Sequence, residues 1–186
     1  MKRLAVFFPG VGYTQEKPLL YHSRRLAEAL GYDVLPLTFA DFPKKIRGDE
    51  KKSRRAFALA CGQAKAQLSA ADLASYDEIV FVGKSIGALA AAALAQEYAC
   101  RRLVLYTPLE PAFDYPLPET IVFTGSADPW VGGEESRIPA LCAARGVPCT
   151  VLPGANHSLE TGDPLRDLDR LAEVMRQTAE FLKKKE

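Results

Sequence analysis

Residues 83–87 read Gly83-Lys84-Ser85-Ile86-Gly87, and they fit two chemistries at once. Gly-Lys-Ser closes the pattern G-x-x-x-x-G-K-[ST], in which backbone N–H groups wrap around a phosphate. The same residues match G-x-S-x-G, the sharp turn that exposes a nucleophilic serine. A phosphate loop requires a glycine five positions upstream of Gly83 and a flexible stretch between the two. Position 78 is Glu78, which opens the apolar run 78–82 (EIVFV), and that run leads straight into Gly83. No loop remains to cradle a phosphate. The elbow reading finds what it needs: a buried strand before the turn, then Ala88, Ala90, Ala91, Ala92 and Ala93, small enough to let a helix lie tight on a sheet.

A serine hydroxyl attacks poorly unless a base takes its proton, and the base needs an acid to orient it. On an α/β sheet such groups collect in the loops at the carboxyl ends of the strands. The run 120–124 (TIVFT) leads into GSADPW, which carries Asp128, and the run 149–152 leads into PGANHS, which carries His157. Singly, an Asp before Pro reads as a turn residue and a loop His as an exposed one. Falling in the order Ser, Asp, His, each after its own strand, they read as one catalytic set. Glu134, Glu135 and Glu160 are the rival acids. The first two fall where a helix is predicted to begin, and the helix dipole accounts for acids there. Glu160 follows His157 too closely to reach back to its ring. His22 lies in a predicted helix beside Arg24 and Arg25 and reads as a surface residue. An acyl-transfer site also needs backbone donors for an oxyanion. One is expected from Ile86, after the nucleophile, and another from the glycine-bearing loop Pro9-Gly10-Val11-Gly12-Tyr13.

The elements that must hold these loops alternate along the chain. Strands are predicted over 4–8, 33–39, 78–82, 102–106, 120–124 and 149–152, with Pro36 favouring a sheet edge for the second. Helices are predicted over 17–30, 52–69, 85–98, about 135–145 and from about 164 to the end. Apolar strands separated by long helices imply βαβ crossovers. The expected architecture is therefore a single domain over 1–186, a three-layer α/β/α sandwich around a six-stranded, mostly parallel sheet.

Composition limits the partners. At 48% hydrophobic and 25% charged residues, with a net charge of +1, there is no electrostatic case for nucleic acid or a membrane surface. The densest basic run, KKIRGDEKKSRR over 44–55, is interrupted by acids and reads as a solvated loop and helix start. The apolar run 4–8 is shorter than the roughly 7–15 residues of a signal-peptide core. No stretch approaches the ~18 apolar residues of a membrane span. The four cysteines and two histidines lack metal-ligand spacing, so the thiols are expected reduced, in a cytoplasmic protein without a metal.

Taken together, PGVGY, GKSIG, GSADPW and GANHSLE resemble the oxyanion loop, nucleophile elbow, acid loop and histidine loop of the α/β-hydrolase superfamily, in that order and over nearly the whole chain. The resemblance implies Ser85 as nucleophile, His157 as base, Asp128 as orienting acid, and Val11 and Ile86 as oxyanion donors. Three departures stand out: Pro9-Gly10 replaces the common His-Gly, the chain starts at what would be the family's third strand, and no lid fits between 106 and 120. The likeness is to a minimal, lidless relative of dienelactone hydrolases with serine in place of cysteine. It implies a serine hydrolase acting without cofactor on a small carboxylic ester or thioester. The alternative is a non-catalytic binding or scaffold protein on the same fold. Tyr13, Trp130, Phe113 and Tyr115 are the expected substrate-binding walls.

Overall fold

Strands that are apolar on both faces must be covered on both faces, and here they are. The structure, a computed structural model, describes residues 1–183. Six strands, β1 (Arg3–Phe8), β2 (Asp33–Pro36), β3 (Glu78–Lys84), β4 (Arg102–Tyr106), β5 (Glu119–Gly125) and β6 (Cys149–Leu152), form one sheet in the order β2-β1-β3-β4-β5-β6. The sequence suggested a mostly parallel sheet; all of these pairings are parallel. β2 forms one edge and stops at Pro36, whose missing N–H suits an outer strand.

The helices are α1 (Pro18–Ala29), α2 (Glu50–Ser69), α3 (Ile86–Leu94), α4 (Ile138–Ala143) and α5 (Pro164–Lys183). Residues 184–186, which the sequence reading assigned to the last helix, lie outside the described residues. One apolar layer joins Val6, Phe8, Phe81, Leu103 and Leu105 to α2, α3 and α4. The other joins Phe7, Val80, Val82, Val104 and Phe123 to α1 and α5. The alternation of strand residues between the two layers is the period-2 geometry of a pleated strand. No helix among the described residues is long and apolar enough to cross a membrane.

Three helices differ from their sequence reading for local reasons. The region from 135 onward is split: Glu134 and Glu135 sit in a short 3-10 turn, and α4 begins only at Ile138, with Pro139 in its first turn. A proline lacks the N–H needed further inside a helix, so it marks the start. α3 stops at Leu94, and the chain turns away through Ala99 at φ 49. α2 begins two residues early because the Asp49 carboxylate accepts the Lys52 N–H at 3.0 Å and caps it.

Glu78 occupies the position where a phosphate loop would need glycine. It lies buried at the amino end of β3, paired with Arg102 on the neighbouring strand. At the opposite, carboxyl end of the sheet the loops after β1, β3, β5 and β6 meet.

Their meeting depends on close backbone contact. A Cβ built on Gly125 would lie 2.1 Å from the Ala155 carbonyl oxygen, in the loop after β6. Neither backbone can yield cheaply, so overpacking is expected to cost about 1–3 kcal/mol. Gly125→Ala should lower the unfolding free energy by that much, seen as a lower urea midpoint at unchanged m; an unchanged midpoint would contradict the close packing of these two loops.

Candidate active site

β3 runs without a break into a turn whose apex is Ser85, at φ 57 and ψ −120. That is a costly backbone for a residue with a side chain, about 1–3 kcal/mol, and surrounding structure must hold it. The Ser85 N–H donates to the Tyr106 carbonyl at 3.0 Å, and its carbonyl accepts from Leu89 at 3.1 Å, tying the turn to β4 and α3. The two motif glycines are required by space. A Cβ on Gly83 would come within 2.6 Å of the Ala88 backbone, and one on Gly87 within 2.3 Å of the Pro9 carbonyl oxygen. Thus the first and last residues of G-x-S-x-G press the serine between α3 and the end of β1.

His157 reaches this turn from the loop after β6. Ala127 N–H donates to the Ala155 carbonyl at 2.9 Å, and the Thr107 hydroxyl donates to the His157 carbonyl at 3.1 Å, which anchors the histidine loop to its neighbours. His157 Nε2 stands 2.7 Å from Ser85 Oγ, and Nδ1 stands 2.7 Å from Asp128 Oδ2. Asp128 is fully buried, and its other oxygen accepts the Trp130 N–H at 2.9 Å. The indole of Trp130 stacks on the imidazole at 5.2 Å between centroids. Of the rival acids, Glu134 and Glu135 stay in their 3-10 turn, while the Glu160 backbone closes a turn onto Asn156. Burial disfavours the imidazolium most, and the Lys84 charge adds to this. The hydrogen bond to Asp128 opposes both, leaving His157 below the ordinary imidazole value.

The loop after β1 closes on itself through Gly10 and Tyr13, which exchange N–H donors at 3.0 and 3.3 Å. Val11 is left at the tip, and among the described residues neither its N–H nor that of Ile86 meets an acceptor. Both residues line the cleft onto which Ser85 and His157 open, a volume of about 520 Å³.

Tyr13 and Trp130 wall this cleft, as expected, but Phe113 and Tyr115 do not. The loop after β4 folds into a 3-10 turn (Glu110–Asp114) that turns Phe113 into the core against α3 and α4. Tyr115 then lies outside, near Phe57 at 6.3 Å between ring centroids. Leu109, Glu110 and Pro111 face the cleft instead. The sequence reading also missed a further wall, built by Ile46 and Arg47 from the connection into α2 and by Ser53 and Ala56 of the helix itself. Its basic character concealed it; a lone Ile46 among charges was the one sign in the sequence, and the structure buries it. It missed Lys84 as well, a motif residue that is 1% exposed and borders the cleft. Among the described residues, no group of three or more His, Cys, Asp or Glu side chains could hold a metal ion.

No protein-family model matches the chain, and no curated protein matches it in sequence. Solved structures do. An alpha-beta serine hydrolase homologue from Coxiella burnetii aligns with a TM-score of 0.68 at 19% identity, covering 95% of this chain and 84% of that one. Est1E from Butyrivibrio proteoclasticus aligns with a TM-score of 0.68 at 15% identity, over 98% of this chain and 90% of that one. A Xanthomonas campestris serine hydrolase described as lacking a lid gives 0.63 at 14% identity, over 99% and 84%. At such identities the likeness concerns architecture: the chain has the α/β-hydrolase fold.

The lowered imidazole fixes the sign of a pH test. A histidine that serves as general base acts when neutral, so in such a role the depressed value of His157 would extend activity toward acid. The acid limb of kcat/KM, which reports the free enzyme, is expected below pH 6.5, the ordinary imidazole value. A limb above 6.5 would contradict the burial and charge balance described for His157.

Proposed function

We propose that the protein is a serine hydrolase that cleaves a carboxylic ester or thioester of a small substrate through an acyl-enzyme. The observation that carries this reading is the unbroken hydrogen-bonded line from Ser85 through His157 to a buried Asp128, at 2.7 Å for each contact. A binding protein of this fold would have no use for a strained serine aimed at a neutral imidazole.

In this reading His157 Nε2 takes the Ser85 proton as Oγ bonds to the substrate carbonyl carbon. The negative oxygen of the tetrahedral intermediate is met by the Val11 and Ile86 N–H groups. The imidazolium then gives its proton to the departing alcohol or thiol as the C–O or C–S bond breaks. Water, deprotonated by the same nitrogen, attacks the acyl-enzyme and returns Ser85 to its starting form. Asp128 holds the Nδ1–H tautomer and stabilises the imidazolium without taking its proton.

The cleft suits a compact acyl group. Between β4 and β5 the chain forms only a short 3-10 turn, so no lid segment covers Ser85 there. With p-nitrophenyl esters of increasing chain length, turnover is expected to be highest for short acyl groups. A steady rise to long chains with activation at a lipid surface would oppose this.

The acid is tested directly by substitution. Asp128→Asn should lower kcat by about two to four orders of magnitude while leaving the thermal midpoint near that of the wild type. Near-normal turnover in Asp128→Asn, with loss in Glu160→Gln, would transfer the role to Glu160.

A further inference from the structure

Besides the Glu78–Arg102 pair, the hydrolytic steps leave unused a buried charge that no ion pair offsets among the described residues. Lys84 immediately precedes Ser85 at the end of β3, and its side chain is almost wholly removed from water. Among the described residues its ammonium has no hydrogen bond or ion pair. It lies over the Tyr13 ring, 5.0 Å from Nζ to the centroid. An unpaired buried ammonium is costly, and an apolar side chain of the same length would fill the space more cheaply. The fold gives no reason for a charge at this position.

The surroundings supply one. Tyr13 belongs to the loop that presents Val11, and the base of that loop rests on the elbow itself. A Cβ built on Gly10 would lie 3.2 Å from the Lys84 carbonyl oxygen and 3.4 Å from Ser85 Cβ. The lysine therefore adjoins the loop at two points, its backbone leaving little room beside Gly10 and its ammonium lying over the Tyr13 ring. A cation over the face of an aromatic ring is attracted to it, the more so away from water. Other titratable groups near it are Tyr106, its register partner on β4, Asp128 after β5, and His157 and Glu160 after β6. Asp128 is already committed to His157 and the Trp130 N–H. The buried phenols of Tyr13 and Tyr106 are both pushed upward and stay neutral.

We propose that Lys84 is a positioning residue for the hydrolysis: its ammonium clamps the Gly10–Tyr13 loop to the nucleophile elbow through the Tyr13 ring, and its charge favours negative charge on the substrate carbonyl oxygen. This rests on the serine hydrolase reading above. The role ends when the lysine loses its proton. Burial pushes Lys84 down to about 7, so the charge is present below neutrality and lost above it. Since His157 is already neutral there, kcat/KM should rise through an acid limb below pH 6.5 and fall through an alkaline limb near 7.

The test is the pH dependence of p-nitrophenyl acetate turnover in the wild type and in Lys84→Met, which keeps the length of the side chain and removes the charge. In Lys84→Met the alkaline limb should vanish, and kcat at its optimum should fall about 10- to 100-fold, below the loss from deleting an oxyanion donor. KM should stay within about threefold, as for a group acting in the transition state. The thermal midpoint should be no lower than in the wild type. The folded wild type resists protonation of Lys84 between about 7 and the ordinary lysine value of 10.5, so any gain in Lys84→Met is largest at acid pH and fades toward 10.5. Tyr13→Leu keeps the lysine but removes the ring that favours its charge; its alkaline limb should move to lower pH. An unchanged kcat and alkaline limb in Lys84→Met, or an unmoved limb in Tyr13→Leu should Lys84→Met not fold, would overturn the proposal. Ser85→Ala separates the two readings: if it is inactive, such a result removes only the role of Lys84, and if it retains turnover, the hydrolase reading and this proposal fail together.

Discussion

Everything at this site depends on one strained residue. Ser85 keeps a left-handed backbone because β3 and α3 leave it no alternative. The strand is fixed by β1 and β4 on either side, the helix lies against the sheet on alanines, and the glycines at 83 and 87 admit no Cβ. The strained turn leaves the hydroxyl within 2.7 Å of the His157 ring and the next residue's N–H without an acceptor among the described residues. In the proposed reaction one turn supplies both nucleophile and oxyanion donor, which would justify its cost.

The rest of the site is arranged by parallel topology. Because every strand runs the same way, the loops after β1, β3, β5 and β6 all emerge at one edge, and four segments far apart in sequence can meet there. The contacts between them are mostly backbone contacts: Gly87 on Pro9, Gly125 on Ala155, and the Ala127 N–H on the Ala155 carbonyl. Backbone contact is less adjustable than side-chain contact, which suits a reaction that tolerates little misplacement. Electrostatics then act on a fixed frame. Burial disfavours the imidazolium, the buried Asp128 carboxyl holds the ring at 2.7 Å, and the Lys84 ammonium lies 5.0 Å from the Tyr13 ring centroid in the loop after β1.

Much of this was legible in the residues. The elbow, the acid loop and the histidine loop announce themselves because their chemistry demands particular types directly after apolar strands, and the Pro36 edge strand follows from a missing N–H. What could not be read depends on tertiary packing. The PLEPAFDYPLP segment contains aromatics, but nothing local says that a 3-10 turn will carry Phe113 into the core. The basic segment over 44–55 is exposed at Lys44, Lys45 and Arg47, yet Ile46 turns inward and makes a wall of the cleft. Lys84 was in plain view within the motif. Only burial distinguishes a solvated lysine from an ammonium lodged beneath a tyrosine ring.

The central claim is that Ser85, alone among the serines, is activated for covalent attack. Mass spectrometry after treatment with a fluorophosphonate tests it without knowledge of the natural substrate. The expected result is one increment per chain, on the peptide that contains Ser85, and none in Ser85→Ala. Labelling that persists in Ser85→Ala, or a wild type that resists the probe under conditions where it is folded, would contradict the claim.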